Sequence, residues 1–481
     1  MSKPNVVRLG DVIESMKNGL YKPADAYADD GVACLRMYNI DQGKIVWRDV
    51  KRMLLTQQDL NDYRLLPGDL LVNRVNTREL VGKSAVIPEW QEPVVFESKN
   101  IRVRLSPNRA LPKFINYQLL LRGSQYFSDN AQQVVGMASV NQKQLSDFPI
   151  LLPSLNAQEK IVTEIDTQFS RLDEAANALK RVQTNLKRNK AAILKAAVEG
   201  KLTEQWREEH QDIEPADQLL KHILAERRAL WEALELARIK NKGIKPKDDS
   251  WKKKYKEPTE PDISNVPKLP EGWVWATLGQ LAWSVKDGPH YSPQYSTSGI
   301  PFISGGNIRA EGIDFSAAKF ITPELHAELS QRCKPEYGDL LYTKGGTTGI
   351  ARINTETQDF NVWVHVAVLK LVSSIDPFYL QHALNSPYCY RQSQKHTHGV
   401  GNQDLGLTRM IWITVPLPTL PEQKVIVEEI DRFNSTGEKL ETIIRVNLQR
   451  TERLRQTILK QALDKVMPTV TDSSANNRKH K

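Results

Sequence analysis

The chain repeats itself, and this duplication constrains its fold more than any other feature of the sequence. The segment QEKIVTEID at 158–166 returns as QKVIVEEID at 423–431, with six of nine positions identical. GDLL stands at 68–71 and again at 338–341, and all such landmarks keep one order in both copies. Repeats in a fixed order indicate one structural unit used twice. We therefore expect a region A followed by a helical region, and then a second copy of both.

The two A regions read as mixed, mostly β structure. The runs at 302–308 and 360–372 are short, apolar or alternating, and bounded by Gly, Asn or Pro, which is typical of strands. A helix is expected at 112–121 in the first copy and at 377–386 in the second. The A regions have diverged more than the helical regions. This indicates that the two A regions bind different targets while the helices provide a common framework. The predicted fold class is α+β, with two mixed, β-rich domains separated by two long helices.

The helical regions carry apolar residues at coiled-coil spacing, as the a and d positions of a heptad require. Two long helices from a duplicated chain pair most simply in an antiparallel arrangement, as an internal pseudo-two-fold repeat. Asn189 and Asn447 either fix the register of a buried seam or face solvent, and both alternatives stay open. The first region has the stripes Leu172, Leu179, Leu186, Ile193 and Ala175, Val182, Asn189, Ala196, and the second has Phe433, Leu440, Asn447, Leu454 beside Ile430, Ile444 and Ile458.

Charge and cysteine content narrow the class of protein. The net charge is +9 and the pI is about 9.1, which favours a polyanionic partner, although a Lys-rich linker supplies much of the excess. The three cysteines, Cys34, Cys333 and Cys389, lie far apart and form neither a disulfide framework nor a CxxC metal pair. The sequence shows no secretory signal and no apolar run of membrane-spanning length, so we expect a cytoplasmic protein.

Four segments in this order resemble the specificity subunit family of type I restriction–modification enzymes. They are LPEGWVWATLG at 269–279, the GDLL segments, PLPTLPEQKVIVEEID at 416–431, and EGKLTEQWR at 199–207, which has no counterpart in the second copy. The resemblance implies two target-recognition domains, each reading half of a split double-stranded DNA site. It also implies helices that set the gap and dock two modification subunits, with restriction subunits joining the complex. S-adenosylmethionine, ATP and magnesium would then be bound by those partners, and this chain would have no cofactor and no catalytic residues.

The repeat, the helical periodicity and the local composition divide the chain into six segments, and the resemblance implies the role of the recognition domains. We expect target-recognition domain 1 at 1–151, a first helical spacer at 152–239, a Lys/Pro-rich linker at 240–270, target-recognition domain 2 at 271–415, a second helical spacer at 416–467, and a disordered tail at 468–481.

Several short motifs raise the alternative of a free-standing methyltransferase or nuclease. Asn-Ser-Pro-Tyr at 385–388 is similar to an amino-methyltransferase motif, but no glycine-rich cofactor loop accompanies it, and a turn at a helix end fits it better. Gly-Lys-Ser at 82–84 lacks the earlier glycine of a phosphate-binding loop. Glu-Ser-Lys at 97–99 resembles part of a nuclease site with Asp69 as partner, and tripeptides of this kind are common. His396 and His398 lack further ligands for a metal. A coiled-coil scaffold with protein-binding end domains is a second alternative.

Base edges are read by donors and acceptors on projecting loops, and Arg, Lys, Asn and Gln serve best. Loops 73–83 and 343–349 follow the GDLL segments, and glycines in the second would let its backbone approach DNA closely. The family resemblance suggests that loops 136–144 and 396–404 face DNA as well. The candidate DNA-binding residues are Arg36, Tyr38, Asn39, Asn73, Arg74, Asn76, Arg78, Lys83, Asn141, Gln142, Lys143, Asn307, Arg309, Lys344, Thr347, Thr348, His396, His398, Asn402 and Gln403.

Overall fold

The duplication is visible as two units of structure. Unit 1 comprises Met1–Arg181 and Ile444–Lys481, and unit 2 comprises Val182–Ile443. The division falls inside both long helices, so each unit holds one A region and part of both helical regions. The predicted tail at 468–481 lies outside the described residues. The computed structural model describes residues 5–134, 136–243, 245–246, 248–399 and 403–465.

The strands of unit 1 form small sheets, of which the largest has four strands. They are β1 (Asn5–Arg8), β2 (Ile13–Asn18), β3 (Tyr27–Leu35), β4 (Ile40–Asp41), β5 (Lys44–Ile45), β6 (Lys51–Met53), β7 (Leu70–Asn73), β8 (Val75–Asn76), β9 (Ser84–Val86), β10 (Val94–Phe96), β11 (Asn100–Leu105), β12 (Gln132–Val134), β13 (Met137–Ser139) and β14 (Pro149–Leu152). The four-stranded sheet has the order β2-β11-β7-β9, and its pairs are antiparallel. Strand β7 is buried along its whole length, with three apolar residues followed by the buried polar Asn73.

Unit 2 repeats this sheet plan with different residues. Its strands are β15 (Val274–Thr277), β16 (Ala282–Asp287), β17 (Ile300–Ile303), β18 (Ile308–Arg309), β19 (Gly312–Ile313), β20 (Lys319–Ile321), β21 (Leu340–Thr343), β22 (Ala351–Ile353), β23 (Asn361–Val362), β24 (Val366–Leu371) and β25 (Thr414–Leu417). The order β16-β24-β21-β22 matches that of the large sheet in unit 1. Each unit also pairs its first strand with its last, as β1-β14 and β15-β25. The predicted internal repeat and α+β class are confirmed.

The helices are α1 (Gln57–Tyr63), α2 (Pro112–Gln118), α3 (Ser124–Asn130), α4 (Gln142–Ser146), α5 (Leu155–Val198), α6 (Glu204–Glu209), α7 (Ala216–Asn241), α8 (Leu278–Leu281), α9 (Pro323–Arg332), α10 (Pro377–Leu384), α11 (Pro387–His396), α12 (Leu407–Met410) and α13 (Leu420–Asp464). Helices α2 and α10 confirm the two helices predicted inside the A regions. The two runs predicted as strands are both interrupted. A 3₁₀ turn at Gly305–Asn307 separates β17 from β18, and a turn closed by the Val366 N–H and Trp363 O separates β23 from β24.

The two long helices contribute to the core of each unit. In unit 1, Ile161 and Ile165 of α5 pack in one cluster with Leu459 and Leu463 of α13. Glu164 pairs with Lys465 and Asp173 with Arg455, so the two segments run antiparallel. In unit 2, α5 and α13 share a second cluster. Each unit therefore completes its core with segments distant in sequence.

On α5 the heptad prediction holds for the stripe from Leu172 to Ile193 and fails for the stripe from Ala175 to Ala196. Ile430 and Ile444 are buried, and the stripe from Leu172 to Ile193 is partly buried. The second stripe was wrong, because Val182 is 41% exposed and Asn189 is exposed as well. One helix of a pair covers only one narrow side of the other, and the described residues leave the second stripe uncovered. Asn189 thus faces solvent, whereas Asn447 is partly buried.

The motif EGKLTEQWR has a structural role inside unit 2. The Glu422 carboxylate, 1% exposed, accepts hydrogen bonds from Thr203 Oγ1 at 2.6 Å and Arg207 Nη1 at 2.6 Å, and on its other oxygen from Trp273 Nε1 at 2.8 Å. Glu422 lies in the first turn of α13, where the helix dipole favours a negative charge. Unit 1 has Ala157 at the matching position and so lacks the carboxylate that holds this motif in unit 2.

The segment predicted as a Lys/Pro-rich linker at 240–270 packs partly against α7. The Trp251 and Trp231 rings stack with centroids 6.2 Å apart. Arg227 Nη1 donates to the Tyr255 hydroxyl at 2.6 Å. The lysines between them remain mostly exposed. Trp251 and Tyr255 of this segment contact α7 within unit 2, which the lysine-rich composition did not predict.

Candidate nucleic-acid interface

Two loops predicted separately come together in unit 1. Strand β13, in loop 136–144, pairs with β8, in loop 73–83, with Ala138 opposite Asn76. Next to this pair the Val140 N–H donates to Arg74 O at 2.8 Å. The two loops therefore form one continuous surface at the end of the large sheet. We call these two segments, and their equivalents in unit 2, the paired loops.

The same junction forms in unit 2 although the loop sequences differ. Leu405 N–H donates to Lys344 O at 2.7 Å, and Gly346 N–H donates to Gln403 O at 3.1 Å. Asp404 forms an isolated bridge with Gly345 and another with His398. Loops 343–349 and 396–404 are therefore neighbours in space. Of the candidate residues in the second loop, Asn402 lies outside the described residues.

Two of the predicted asparagines build the fold instead of projecting from it. Asn39 is 1% exposed, and its Nδ2 donates to Val46 O at 2.9 Å and to Arg48 O at 3.0 Å. Asn307 is 7% exposed, and its Nδ2 donates to Asp314 O at 2.9 Å. In both turns the side-chain oxygen accepts a bond from the backbone three residues earlier. The same turn is thus built at Asn39-Ile40 in unit 1 and at Asn307-Ile308 in unit 2, and in both the asparagine amide is bound within its own turn.

Asn73 and Asn76 form a second internal network beneath the paired loops of unit 1. Asn76 Nδ2 donates to Asn73 Oδ1 at 2.9 Å, and Asn73 Nδ2 lies 3.2 Å from Asn100 Oδ1. All three side chains are buried. In unit 2 the residue matching Asn73 is Thr343, whose hydroxyl accepts a bond from Ile350 N–H at 2.9 Å. These groups hold the loops in place, because a buried amide must find partners within the fold.

The remaining candidates of unit 1 are at least partly exposed. Tyr38 is 63% exposed, and the Arg36 guanidinium lies over its ring while donating to Glu97 at 3.2 Å. Arg78 is exposed and donates to Ser128 Oγ at 3.1 Å. Lys83 is partly exposed, and its Nζ lies 3.9 Å from an Asp41 oxygen.

The second of the paired loops in unit 1 ends in a capped helix. Asn141 is the N-cap of α4, and its side-chain oxygen accepts a bond from Gln144 N–H at 2.8 Å. Gln142 reaches back to Asn18 Oδ1 at 3.1 Å, at the end of β2. Lys143 is exposed and lies 2.8 Å from Asp147. Exposed ion pairs of this kind contribute little to stability, so Lys143 can exchange its partner for a phosphate at little cost.

In unit 2 the candidates divide in the same way. Thr347, His398 and Gln403 are exposed. Thr348 is buried, and its hydroxyl lies 3.0 Å from that of Thr397. Arg309 is exposed but paired with Asp314 at 2.9 Å.

Two histidines near the paired loops of unit 2 favour their neutral forms. Burial, followed by the positive charge of Lys395, lowers the pKa of His396 below its usual range. Burial and the nearby Lys344 ammonium lower the pKa of His365 in the same way. Neutral imidazoles can both donate and accept hydrogen bonds, which suits contact with base edges.

Sequence reasoning missed the residues at the ends of β2 and β16. Asn18 and Asp287 occupy the same register, opposite Ile101 and Ala367. Both precede a glycine that approaches another backbone closely: a Cβ at Gly288 would lie 1.8 Å from Val362 O. Neither residue stands in a recognisable motif, and only the strand register shows that the two are equivalent.

The motifs that raised an enzymatic alternative have structural roles. Asn385 binds the backbone of Ala351, and Ser386 is the N-cap of α11, so the predicted turn at a helix end is confirmed. Asp69 pairs with Arg104 at 2.9 Å, whereas Glu97 bonds to Arg36. Within the described ranges, no group of three His, Cys, Asp or Glu residues is arranged to hold a metal ion.

The duplicated units, each with its own paired loops, define a two-copy α+β protein with two long helices. The chain matches the family described as the Type I restriction modification DNA specificity domain over residues 1–184 and 270–448, and it belongs to that family. No helix among the described residues has the length and apolar character needed to span a membrane.

Named relatives agree with this family. The chain is 30% identical over 230 residues to the type I restriction enzyme EcoKI specificity subunit of Escherichia coli K12, a match covering 45% of this chain and 48% of that protein. It is 23% identical over 457 residues to the EcoBI specificity subunit of Escherichia coli, covering 94% of this chain and 84% of that protein. A chain from a solved structure concerning complex assembly of the type I R-M system shares the fold, with a TM-score of 0.60, 17% identity and coverage of 96% and 98%.

Proposed function

We propose that this chain is the DNA specificity subunit of a type I restriction–modification complex, in which each unit reads one half of a bipartite site. The observation that carries the proposal is the repeated junction of the paired loops. The exposed side chains on this common frame differ, with Arg78 and Lys143 in unit 1 and Thr347 and His398 in unit 2. A common frame with different donors and acceptors is what reading two different half-sites needs.

Partners follow from the same proposal. Two modification subunits dock on the helical regions, and restriction subunits join through them. Exposed apolar side chains on each long helix are available for such docking, among them Val182 on α5 and Leu454 on α13, each about two-fifths exposed. S-adenosylmethionine, ATP and magnesium are then bound by the partner subunits, and the specificity subunit supplies selection alone.

The test uses the chain co-expressed with its modification subunits. Genomic methylation is mapped by sequencing, and DNA binding by the purified complex is measured at several salt concentrations. We expect methylation at one bipartite motif and affinity that falls steeply with salt, because phosphate contacts release counterions. The chain alone should transfer no methyl group. A free-standing methyltransferase would act without partners, and a protein-binding scaffold would give a complex with no sequence preference on DNA.

A further inference from the structure

Arg74 and Lys344 occupy the same position in the two units, as their backbone bonds show. Arg74 N–H donates to Lys99 O at 2.8 Å, and Lys344 N–H donates to His365 O at 2.8 Å. Their carbonyl groups accept equivalent bonds, from Val140 and from Leu405. Each residue directly follows the central strand of the large sheet and lies at the junction of the paired loops. A cation therefore stands at the same point of both candidate DNA surfaces.

The surroundings of Arg74 leave its positive charge unpaired. Within the described part of the chain, its guanidinium makes one hydrogen bond, from Nη1 to Ser98 O at 3.4 Å. Its Nε is buried without a partner. Among the described residues, no carboxylate oxygen lies within 4 Å of the guanidinium nitrogens of Arg74. A guanidinium with unused donors and no counter-charge is suited to bind an acceptor that carries negative charge.

The matching lysine in unit 2 has two carboxylates close to it. Lys344 Nζ lies 3.2 Å from Asp404 Oδ1 and 3.5 Å from Asp287 Oδ2. The Lys344 side chain is 5% exposed and that of Asp287 is 2% exposed. Asp287 also binds Arg332 at 2.7 Å, so the cluster is held together from more than one side.

The two carboxylates account for the difference between the units. By strand register, Asp287 of unit 2 matches Asn18 of unit 1. Asp404 directly precedes Leu405, and Ser139 directly precedes Val140. The Leu405 N–H donates to the Lys344 carbonyl and the Val140 N–H to the Arg74 carbonyl, so Asp404 and Ser139 occupy equivalent positions. Unit 1 thus has neutral side chains at both positions where unit 2 has acidic ones.

We infer that Arg74 offers its charge to a negatively polarised oxygen or nitrogen of DNA, whereas the charge of Lys344 is neutralised inside unit 2. This inference rests on the proposed function. It makes the two half-sites physically different at the loop junction, since unit 1 has a cation with no described carboxylate beside it and unit 2 has a lysine paired with two carboxylates, which also bind Arg332 and Arg409. The acceptor at Arg74 is either a phosphate oxygen or the O6/N7 edge of a guanine, which share this chemistry.

The test measures DNA affinity of the full complex against salt for four variants. Arg74→Gln should lower the salt slope by about one, if the acceptor is a phosphate, or relax one guanine position of the motif by about tenfold or more. Arg74→Lys should keep the slope and lose only the guanine preference, which separates the two acceptors. Lys344→Gln should leave the slope unchanged. The double variant Asp287→Asn with Asp404→Ser installs the unit 1 residues and should raise the slope by about one.

Thermal unfolding and assembly of each complex show that a changed slope does not arise from misfolding. A wild-type complex that fails to bind DNA in a salt-dependent way overturns the proposed function itself. If the wild type binds but Arg74→Gln leaves both slope and motif unchanged, the inference about Arg74 is wrong. If the double variant folds and its slope stays at the wild-type value, the neutralisation of Lys344 is wrong.

Discussion

Gln158 and Gln423 make the same buried connection in the two units. Gln158 Oε1 accepts a bond from Leu111 N–H at 2.9 Å, and Gln423 Oε1 accepts one from Asp376 N–H at 2.8 Å. The Nε2 group of each donates to the proline carbonyl five residues earlier, at 2.9 and 3.0 Å. The first residue of the repeated motif thus joins a long helix to the helix of its own A region. Both side chains are fully buried.

Replacing either glutamine should destabilise the unit that contains it. Gln158→Leu leaves the Leu111 N–H without its acceptor, and an unsatisfied buried group costs about 1–3 kcal/mol. Thermal or denaturant unfolding measures the loss. Exposed Gln57→Ala is the control and should change stability by less than about 0.5 kcal/mol. Equal effects of the two substitutions would contradict the architectural role of Gln158.

The Glu422 cluster predicts a loss confined to unit 2. Glu422→Ala removes the acceptor of Thr203, Arg207 and Trp273, and an uncompensated buried charge typically costs about 3–5 kcal/mol. Limited proteolysis should then cut near 199–210 while unit 1 keeps its resistance. Glu429→Ala disrupts a surface pair with Arg432 and should cost less than about 1 kcal/mol. Unchanged protease resistance in the Glu422 variant would show that the motif is held by other contacts.

His382 should make unit 2 sensitive to acid. Burial, followed by the nearby Lys190 ammonium, lowers its pKa to about 4 from an ordinary value of 6.5. The unfolded chain therefore binds a proton below about pH 6.5 that the folded chain refuses until about pH 4. Its contribution is complete above pH 6.5 and is lost as pH falls toward 4, by up to about 3 kcal/mol.

The measurement is the free energy of unfolding at several pH values, in wild type and in His382→Gln. The variant should lose this part of the pH dependence. Identical slopes in the two proteins between pH 6.5 and 4 would disprove the prediction.

Ile444 lies on the buried side of α13, whereas Val446 lies on its exposed side. Ile444 is 1% exposed and Val446 is 53% exposed. Ile444→Asp buries a charge and should cost several kcal/mol in unit 1, as should Leu179→Asp to a smaller extent. Val446→Asp should leave unfolding nearly unchanged. Calorimetry distinguishes these results. Equal unfolding temperatures for Ile444→Asp and Val446→Asp would argue against a buried seam at Ile444.

An exchange of residues 271–415 for those of a family relative should rewrite one half of the DNA motif. Residues 1–151 and both long helices are untouched, so the other half and the gap should persist if the two units read DNA independently. Methylation mapping in cells provides the readout. A change in both halves, or in neither, would refute two independent readers.

The sequence was sufficient to predict the features that repeat. Its matched motifs at 158–166 and 423–431 indicated two copies of one unit, and heptad spacing indicated two long helices, since both depend on local patterns. The loops at 73–83 and 136–144 could be proposed separately from their polar residues. Their junction could not, because the pairing of Ala138 with Asn76 is a contact between distant segments.

Only the tertiary structure decided which polar residues are available. Asn39 and Asn307 carry the donor and acceptor groups that reading DNA bases requires, yet their side-chain amides donate to backbone carbonyls of their own turns. The carboxylates that neutralise Lys344 come from positions 287 and 404, far from it in sequence. Burial and ion pairing depend on distances in space, whereas a motif records only distances along the chain. The duplication was therefore evident from the sequence, and the electrostatic difference between its copies only from the fold.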